Sequence, residues 1–298
     1  MTISATHFSD PGCPWAYSAS PALAVLAWRY GAGLDWRLAT IGLTEHGEQY
    51  ERRGYTPAKS ARGYRRFRRY GMPFATAPRR RIPGTSRACR AIVATRLSDP
   101  ANEYAAFRAL QFGWFTTPLV LDEDADIARA LGRVPGLDVA GVVGAIDDPA
   151  VVEAYEADRA SARSAGGGAT EAQGKAANTD GVVRFTAPSV VFETADGRRL
   201  EAGGFQPVEA YDVVIANLDP ALPRREPPET VLEVLADFPY GLTTQEVAAV
   251  MTHGNDAPDR AAAEDALIEL AAAGGCAREP LGDDALWLAA AGEARRAA

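Results

Sequence analysis

Residues 3–43 constrain the fold more than any other part of the chain. Ile3–Phe8 alternates weakly in hydropathy and reads as a strand. A helix opens at Cys13 and continues through Pro21–Tyr30, where Gly31 and Gly33 stop it. Leu34, Trp36 and Leu38 fall at period two, so Leu34–Leu43 reads as a second strand. Two strands joined through a helix form a crossover rather than a hairpin. They are therefore expected to pair in parallel, which places the chain in the α/β class.

The same unit carries the sharpest chemical signal. Asp10-Pro11-Gly12-Cys13-Pro14-Trp15-Ala16-Tyr17 puts a thiol where the strand ends and the helix begins. Free N–H groups and the positive end of the helix dipole favour thiolate there, and thiolate is the nucleophile. Pro14 suits the first helical position, where a missing N–H costs nothing. The expectation is a Cys13 pKa below the ~8.5 of a free thiol, and faster alkylation than at the other cysteines. A dithiol redox site would repeat cysteine three residues on, where this chain has Ala16.

Composition excludes several classes. Apolar content is 47% and charged content 23%, the balance of a soluble globular protein. No run approaches the ~20 apolar residues of a membrane span, so no membrane partner is expected. Residues 1–9 lack the order of a secretory signal. Three scattered cysteines, Cys13, Cys89 and Cys276, form no disulfide framework and point to a cytoplasmic setting. His7, His46 and His253 form no Cys/His cluster, so no metal site is expected.

Charge is uneven. Arg52–Arg90 holds 13 basic residues and no acidic one, whereas Arg224 to the C-terminus holds 6 basic and 14 acidic residues. The basic segment reads either as a solvated helical face or as an anion site or docking surface for the acidic part. The expectation is that residues 226–298 pack on the rest of the chain partly through Arg–carboxylate contacts. A homodimer that pairs the two segments is the rival arrangement.

Between residues 45 and 180 no segment reads as a strand. Helical spacing recurs at Ser86–Leu97, Ala101–Phe115, Asp124–Leu131, Val139–Ile146 and Ala150–Arg163, and a Gly/Ala-rich loop covers Ala165–Gly181. Strand signals return at Ser189–Glu193 and Arg198–Ala202 around the hairpin signal Asp196-Gly197, before a helix at Pro207–Leu218. Four prolines in 219–228 mark a linker. Three helical stretches follow (229–238, 243–251, 259–273), then two short strand candidates around Gly282-Asp283-Asp284, an order that fits a winged helix-turn-helix.

The order βαβ, helices, ββα, with cysteine at the first helix start, resembles the thioredoxin fold, and the long helical insertion resembles the DsbA-like group. Residues 10–17 resemble the Cys-Pro-Trp-Cys-Tyr signature of its FrnE-like branch. Thr186-Ala187-Pro188-Ser189-Val190-Val191-Phe192 resembles that family's strand entered through a cis-proline. The resemblance implies two units. Residues 1–222 would form a DsbA-like thioredoxin domain with an insertion at about 45–180, and residues 226–298 a small winged-helix-like domain. It also implies that Cys13 is the catalytic residue, with Pro14, Trp15, Ala187 and Pro188 binding substrate or a thiol. Tyr17 could shape the same pocket.

Ala16 stands where the family's resolving cysteine would be, which implies monothiol chemistry on mixed disulfides or small-thiol adducts. Glutathione or mycothiol would serve as co-substrate, with no tightly bound cofactor. The related 2-hydroxychromene-2-carboxylate isomerases and kappa-class glutathione transferases imply an alternative, in which Cys13 orients a bound thiol cofactor. A non-catalytic binding module is the third reading. Cys89 reads as packing unless it lies within reach of Cys13, Cys276 as a bystander, and His7 as core or as a thiol partner. The C-terminal unit is too acidic to neutralise phosphates, so no nucleic-acid partner is expected.

Overall fold

The computed structural model describes residues 2–254 and 256–290, so Asn255 and residues 291–298 of the expected 226–298 unit lie outside the described residues. The opening strand is β1 (Ile3–Ser9). The expected single helix is two, α1 (Pro14–Ser18) and α2 (Ser20–Tyr30). The break has a covalent cause: Pro21 has no N–H to donate to the carbonyl of Tyr17, so the first helix stops and a second starts. β2 (Leu34–Thr40) runs parallel to β1, with Ile3 opposite Leu34 and Ser9 opposite Thr40.

The insertion is helical, as its spacing indicates. It holds α3 (Glu48–Glu51), α4 (Pro57–Tyr64), α5 (Ser86–Ser98), α6 (Glu103–Thr116), α7 (Asp124–Leu131), α8 (Val139–Gly144), α9 (Pro149–Ala162) and α10 (Ala169–Ala172). Within the basic segment Arg52–Arg90 lies α4, a helix that its helical-face reading accommodates, and α3 just precedes that segment. One correction applies. The Gly/Ala-rich stretch contains α10 and the short strand β3 (Ala176–Ala177), which pairs with β4 (Arg184–Phe185).

β5 (Ser189–Glu193), β6 (Arg199–Gly203) and α11 (Val208–Leu218) complete the first unit. The Asp196-Gly197 turn joins β5 and β6 as an antiparallel hairpin, and Gly197 supplies the positive φ of 84° that the turn needs. The sheet order is β2-β1-β5-β6. On one face Ile3 and Ala5 pack with Leu23, Leu26, Tyr211 and Ile215 of α2 and α11. On the other, Phe8, Ala39 and Ile41 pack with Ala162 and Ala165 at the end of α9.

The C-terminal part holds α12 (Val231–Asp237), β7 (Leu242–Thr243), α13 (Thr244–Met251), α14 (Arg260–Ala272), β8 (Cys276–Leu281) and β9 (Asp284–Ala289). Its sheet order is β7-β9-β8. It packs on the first unit: Ala24, Val25 and Trp28 of α2 share a core with Val247, Leu267 and Trp287. Leu281 and Leu286 enter the core of the insertion. The strongest polar link is buried. Arg108 of α6 donates to Glu246 at 2.6 Å, to Ser20 at 2.7 Å and to Gln111 at 3.0 Å. Glu246 also closes the capping box of α13 on Thr243.

The expected Arg–carboxylate packing is thus present, but mostly not from the expected arginines. Arg68 of the basic segment meets Asp283 at 3.3 Å. Its neighbours Arg80, Arg81, Arg87 and Arg90 instead pair with Asp122, Glu123, Asp124, Asp126 and Asp147 of the insertion. The counter-charges of the segment follow it in sequence, and the fold returns them as local partners.

Candidate active site

Strand register brings the two sequence motifs together. β1 ends at Ser9, three residues short of Gly12, and pairs antiparallel with β5, with Phe8 opposite Ser189. The residues just beyond each strand therefore meet at one edge of the sheet: Asp10–Cys13 from β1, and Ala187–Pro188 from the entry to β5. The Ala187–Pro188 peptide is cis. The Cys13 thiol donates a hydrogen bond to the Ala187 carbonyl at 3.1 Å. Of the expected site residues, Cys13, Ala187 and Pro188 are therefore brought together, with Pro14 at the first position of α1.

Trp15 and Tyr17 part company. Trp15 is 37% exposed and lies edge-on to Phe67 at 4.9 Å and to Phe205 at 5.5 Å, with Tyr70 at 5.8 Å. It forms an aromatic surface one residue beyond Pro14. Tyr17 is fully buried and stacks on Phe115 at 4.8 Å, so it belongs to the core of the insertion and not to the pocket.

Beneath Cys13 lies a residue whose role sequence reasoning missed. The Asp10 carboxylate is fully buried, and it accepts from Gly12 N at 2.8 Å, Leu43 N at 2.9 Å, the Thr85 hydroxyl at 2.9 Å and the Cys89 thiol at 3.6 Å. Burial pushes its pKa up, and those donors pull it back down. Asp10 opens the quoted motif, so its position was visible in the sequence. Its partners were not, because Leu43, Thr85 and Cys89 are distant in the chain. Gly12 is required at the same spot: a Cβ there would sit 2.7 Å from Thr85 Cγ2 and 2.8 Å from Trp114. Cys89 is thus a donor to Asp10 rather than a partner of Cys13. Cys276 donates to the Leu267 carbonyl at 3.6 Å in the C-terminal part.

The expectation of a lowered Cys13 pKa is overturned. The thiol is buried, and its pKa is pushed up to about 12. Burial is the main cause; the N–H groups of Ala16 and Trp15 oppose it, the Asp10 carboxylate adds to it, and the Arg184 guanidinium opposes it. The hydrogen bond to Ala187 also uses the thiol proton, which favours the neutral form. The helix is too short to compensate, since α1 ends after five residues. His7 makes no hydrogen bond to Cys13 and is not its thiol partner.

The fold and this site define a thioredoxin-type domain with a cysteine at the first helix start. A sequence model described as the DSBA-like thioredoxin domain matches residues 6–167, more than half of the chain. The chain belongs to the DsbA-like thioredoxin domain family, and its fold is that of the thiol-disulfide oxidoreductases in that family. Among solved structures it is similar to a probable DsbA oxidoreductase from Streptomyces coelicolor (TM-score 0.53, 18% identity, 76% of this chain and 93% of that one). It is also similar to the cytosolic disulfide reductase DsbM from Pseudomonas aeruginosa (TM-score 0.50, 18% identity, 73% of this chain and 100% of that one). No curated protein matches the chain by sequence. No helix among the described residues is long and apolar enough to cross a membrane.

Proposed function

We propose that this chain is a monothiol oxidoreductase in which Cys13 exchanges with disulfides of small thiols or of thiol-bearing substrates. The observation that carries this reading is the pairing of Cys13 with Ala187 at the cis-proline edge, while Ala16 leaves no second thiol in the motif. In the exchange, Cys13 loses its proton to solvent and its sulfur attacks one sulfur of the incoming disulfide. The old S–S bond breaks, a Cys13 mixed disulfide forms, and the leaving thiolate takes up a proton. A second thiol molecule then attacks the mixed disulfide, releases the product disulfide and restores Cys13. Glutathione or mycothiol fits the co-substrate role. A bound segment would find the Ala187 backbone on one side and the Trp15 surface on the other. The setting we assign is cytoplasmic, and residues 226–290 act as a winged-helix-like unit docked on the catalytic domain.

Incubation of the full chain with glutathione disulfide, followed by intact-mass and peptide mass spectrometry, tests this. The expected result is one glutathione adduct on Cys13, absent in Cys13→Ser and removed by excess glutathione. No adduct on Cys13 in the folded protein, with full modification after unfolding, would favour a second reading. That reading is a binding module without redox work, and the burial and raised pKa of Cys13 support it.

A further inference from the structure

A cavity whose lining excludes Cys13 lies between the sheet, α2, α6 and the C-terminal part. Its volume is about 180 Å³. An apolar cavity of ~150 Å³ is enough for a benzene ring, so this one has room for a monocyclic aromatic compound with a short substituent. Ala24 and Ala27 of α2 and Leu38 of β2 supply apolar wall.

The polar groups of the wall are what mark it. His7 is 4% exposed, and its Nε2 has no hydrogen-bond partner; Trp36 also lines the cavity, and its Nε1 is buried without a partner. Buried polar atoms are normally paired, and two unpaired ones in a single wall point to a missing partner. The indole N–H can only donate. Tyr104 and Tyr240 line the cavity as well, and burial raises both phenol pKa values, so both stay protonated. The wall is therefore rich in donors. The wall's charges oppose one another: it contains the Arg37 guanidinium and the Glu103 carboxylate, the latter paired with Arg96 at 2.6 Å, so it is not matched to a ligand of either charge.

We propose that this cavity binds an uncharged aromatic carbonyl compound, its ring against α2 and its oxygen accepting from the His7–Trp36 side. The site is independent of Cys13. Its ring-sized volume sets the ligand's size, and the unpaired Trp36 N–H beside the unpaired His7 Nε2 sets the ligand's polarity.

Acetophenone is the probe, with ethylbenzene as its counterpart without an acceptor and benzoate as its charged counterpart. Binding to the full chain is read by ligand-observed NMR and by tryptophan fluorescence. Acetophenone is expected to bind saturably and ~10-fold more tightly than ethylbenzene, the worth of one hydrogen bond to an otherwise unpaired donor. Benzoate is expected to bind more weakly than acetophenone. Ala27→Phe, which fills the cavity, is expected to abolish binding, and Cys13→Ser to leave it unchanged. Equal affinity for acetophenone and ethylbenzene would overturn the proposal, as would the absence of saturable acetophenone binding. Loss of binding in Cys13→Ser would place the compound at the thiol and overturn it too. If Ala27→Phe does not fold, the ratio of the two probes on the native chain still decides.

Discussion

Asp10 and His7 lie three residues apart, one just beyond the end of β1 and one within it, and both are buried. Their surroundings differ. The Asp10 carboxylate gathers two backbone N–H groups, a hydroxyl and a thiol. The Nε2 of His7 gathers nothing. One buried polar group is therefore held by a built shell and ties three segments together: the motif, the stretch after β2 and the start of α5. The other escapes the cost of burial by giving up its charge, with its pKa lowered to about 4 by burial. The difference separates a polar group that organises a site from one that waits for a partner, and burial alone does not distinguish them.

The largest expected effect comes from emptying the Asp10 shell. Asp10→Ala leaves the Gly12 and Leu43 N–H groups and the Thr85 hydroxyl without their acceptor. Each buried donor left unpaired costs about 1–3 kcal/mol, so the variant should lose about 3–5 kcal/mol in urea unfolding at neutral pH. A loss below about 1 kcal/mol would mean that the shell does not hold the motif in place, and the contrast with His7 would collapse.

Acid probes the other side of the comparison. The His7 pKa is 6.5 as a model value and about 4 in the folded chain. As pH falls, the unfolded chain takes up the proton first, so the stability present above pH 6.5 is lost progressively down to pH 4. The loss is about 3 kcal/mol for a shift of this size. Arg37 and Glu103 also line the cavity wall that contains His7, and burial raises the Glu103 pKa above its ordinary value, so the comparison needs the variant. His7→Phe should remove most of the slope between pH 6.5 and 4 in a series of urea unfolding curves. An unchanged slope would show that the imidazole is not the group being titrated.

Sequence and structure agree where the signal is local. The βαβ start, the Asp196-Gly197 hairpin and the run Asp124–Leu131 are all written in neighbouring residues and appear as read. The meeting of Cys13 with Ala187 was legible as well, because two motifs in the order of one family fix it. What escaped was long-range or a matter of environment. Thr85 and Cys89 approach Asp10 only because α5 packs under the motif. The helix dipole at Cys13 was visible in the sequence, but the burial that outweighs it was not, since burial depends on Phe8, Ala162 and Phe185 arriving from three elements. The unpaired atoms of His7 and Trp36 lie on adjacent strands against a C-terminal unit that no local pattern places there.

Cys13 itself gives the next smaller effect. With its pKa near 12, only a trace of thiolate exists at neutral pH. Alkylation of the folded chain should be at least ~100-fold slower at Cys13 than in the urea-unfolded chain, and its rate should rise ~10-fold per pH unit from pH 7 to 10. A rate that levels off below pH 8 would restore the activated thiolate that the helix start alone suggests. Ala16→Cys sharpens the same point. A second thiol three residues along should close an internal disulfide under mild oxidation, and both thiols should then resist alkylation until reduced.

The smallest effect belongs to Trp36. Removing a hydrogen-bonding group that has a partner costs stability, because the partner is stranded; removing one that has none strands nothing. Trp36→Phe deletes the unpaired N–H and keeps an aromatic ring on β2. The lost ring area costs some packing, and the relieved desolvation offsets it. The net change should stay within about 1 kcal/mol at neutral pH, against the several lost by Asp10→Ala. The same variant should weaken acetophenone binding toward that of ethylbenzene, since the acceptor then has lost one of its donors. A destabilisation as large as that of Asp10→Ala would show that the indole N–H has a partner, such as a bound water, and that the surroundings of Trp36 on β2 and of Asp10 after β1 are built alike.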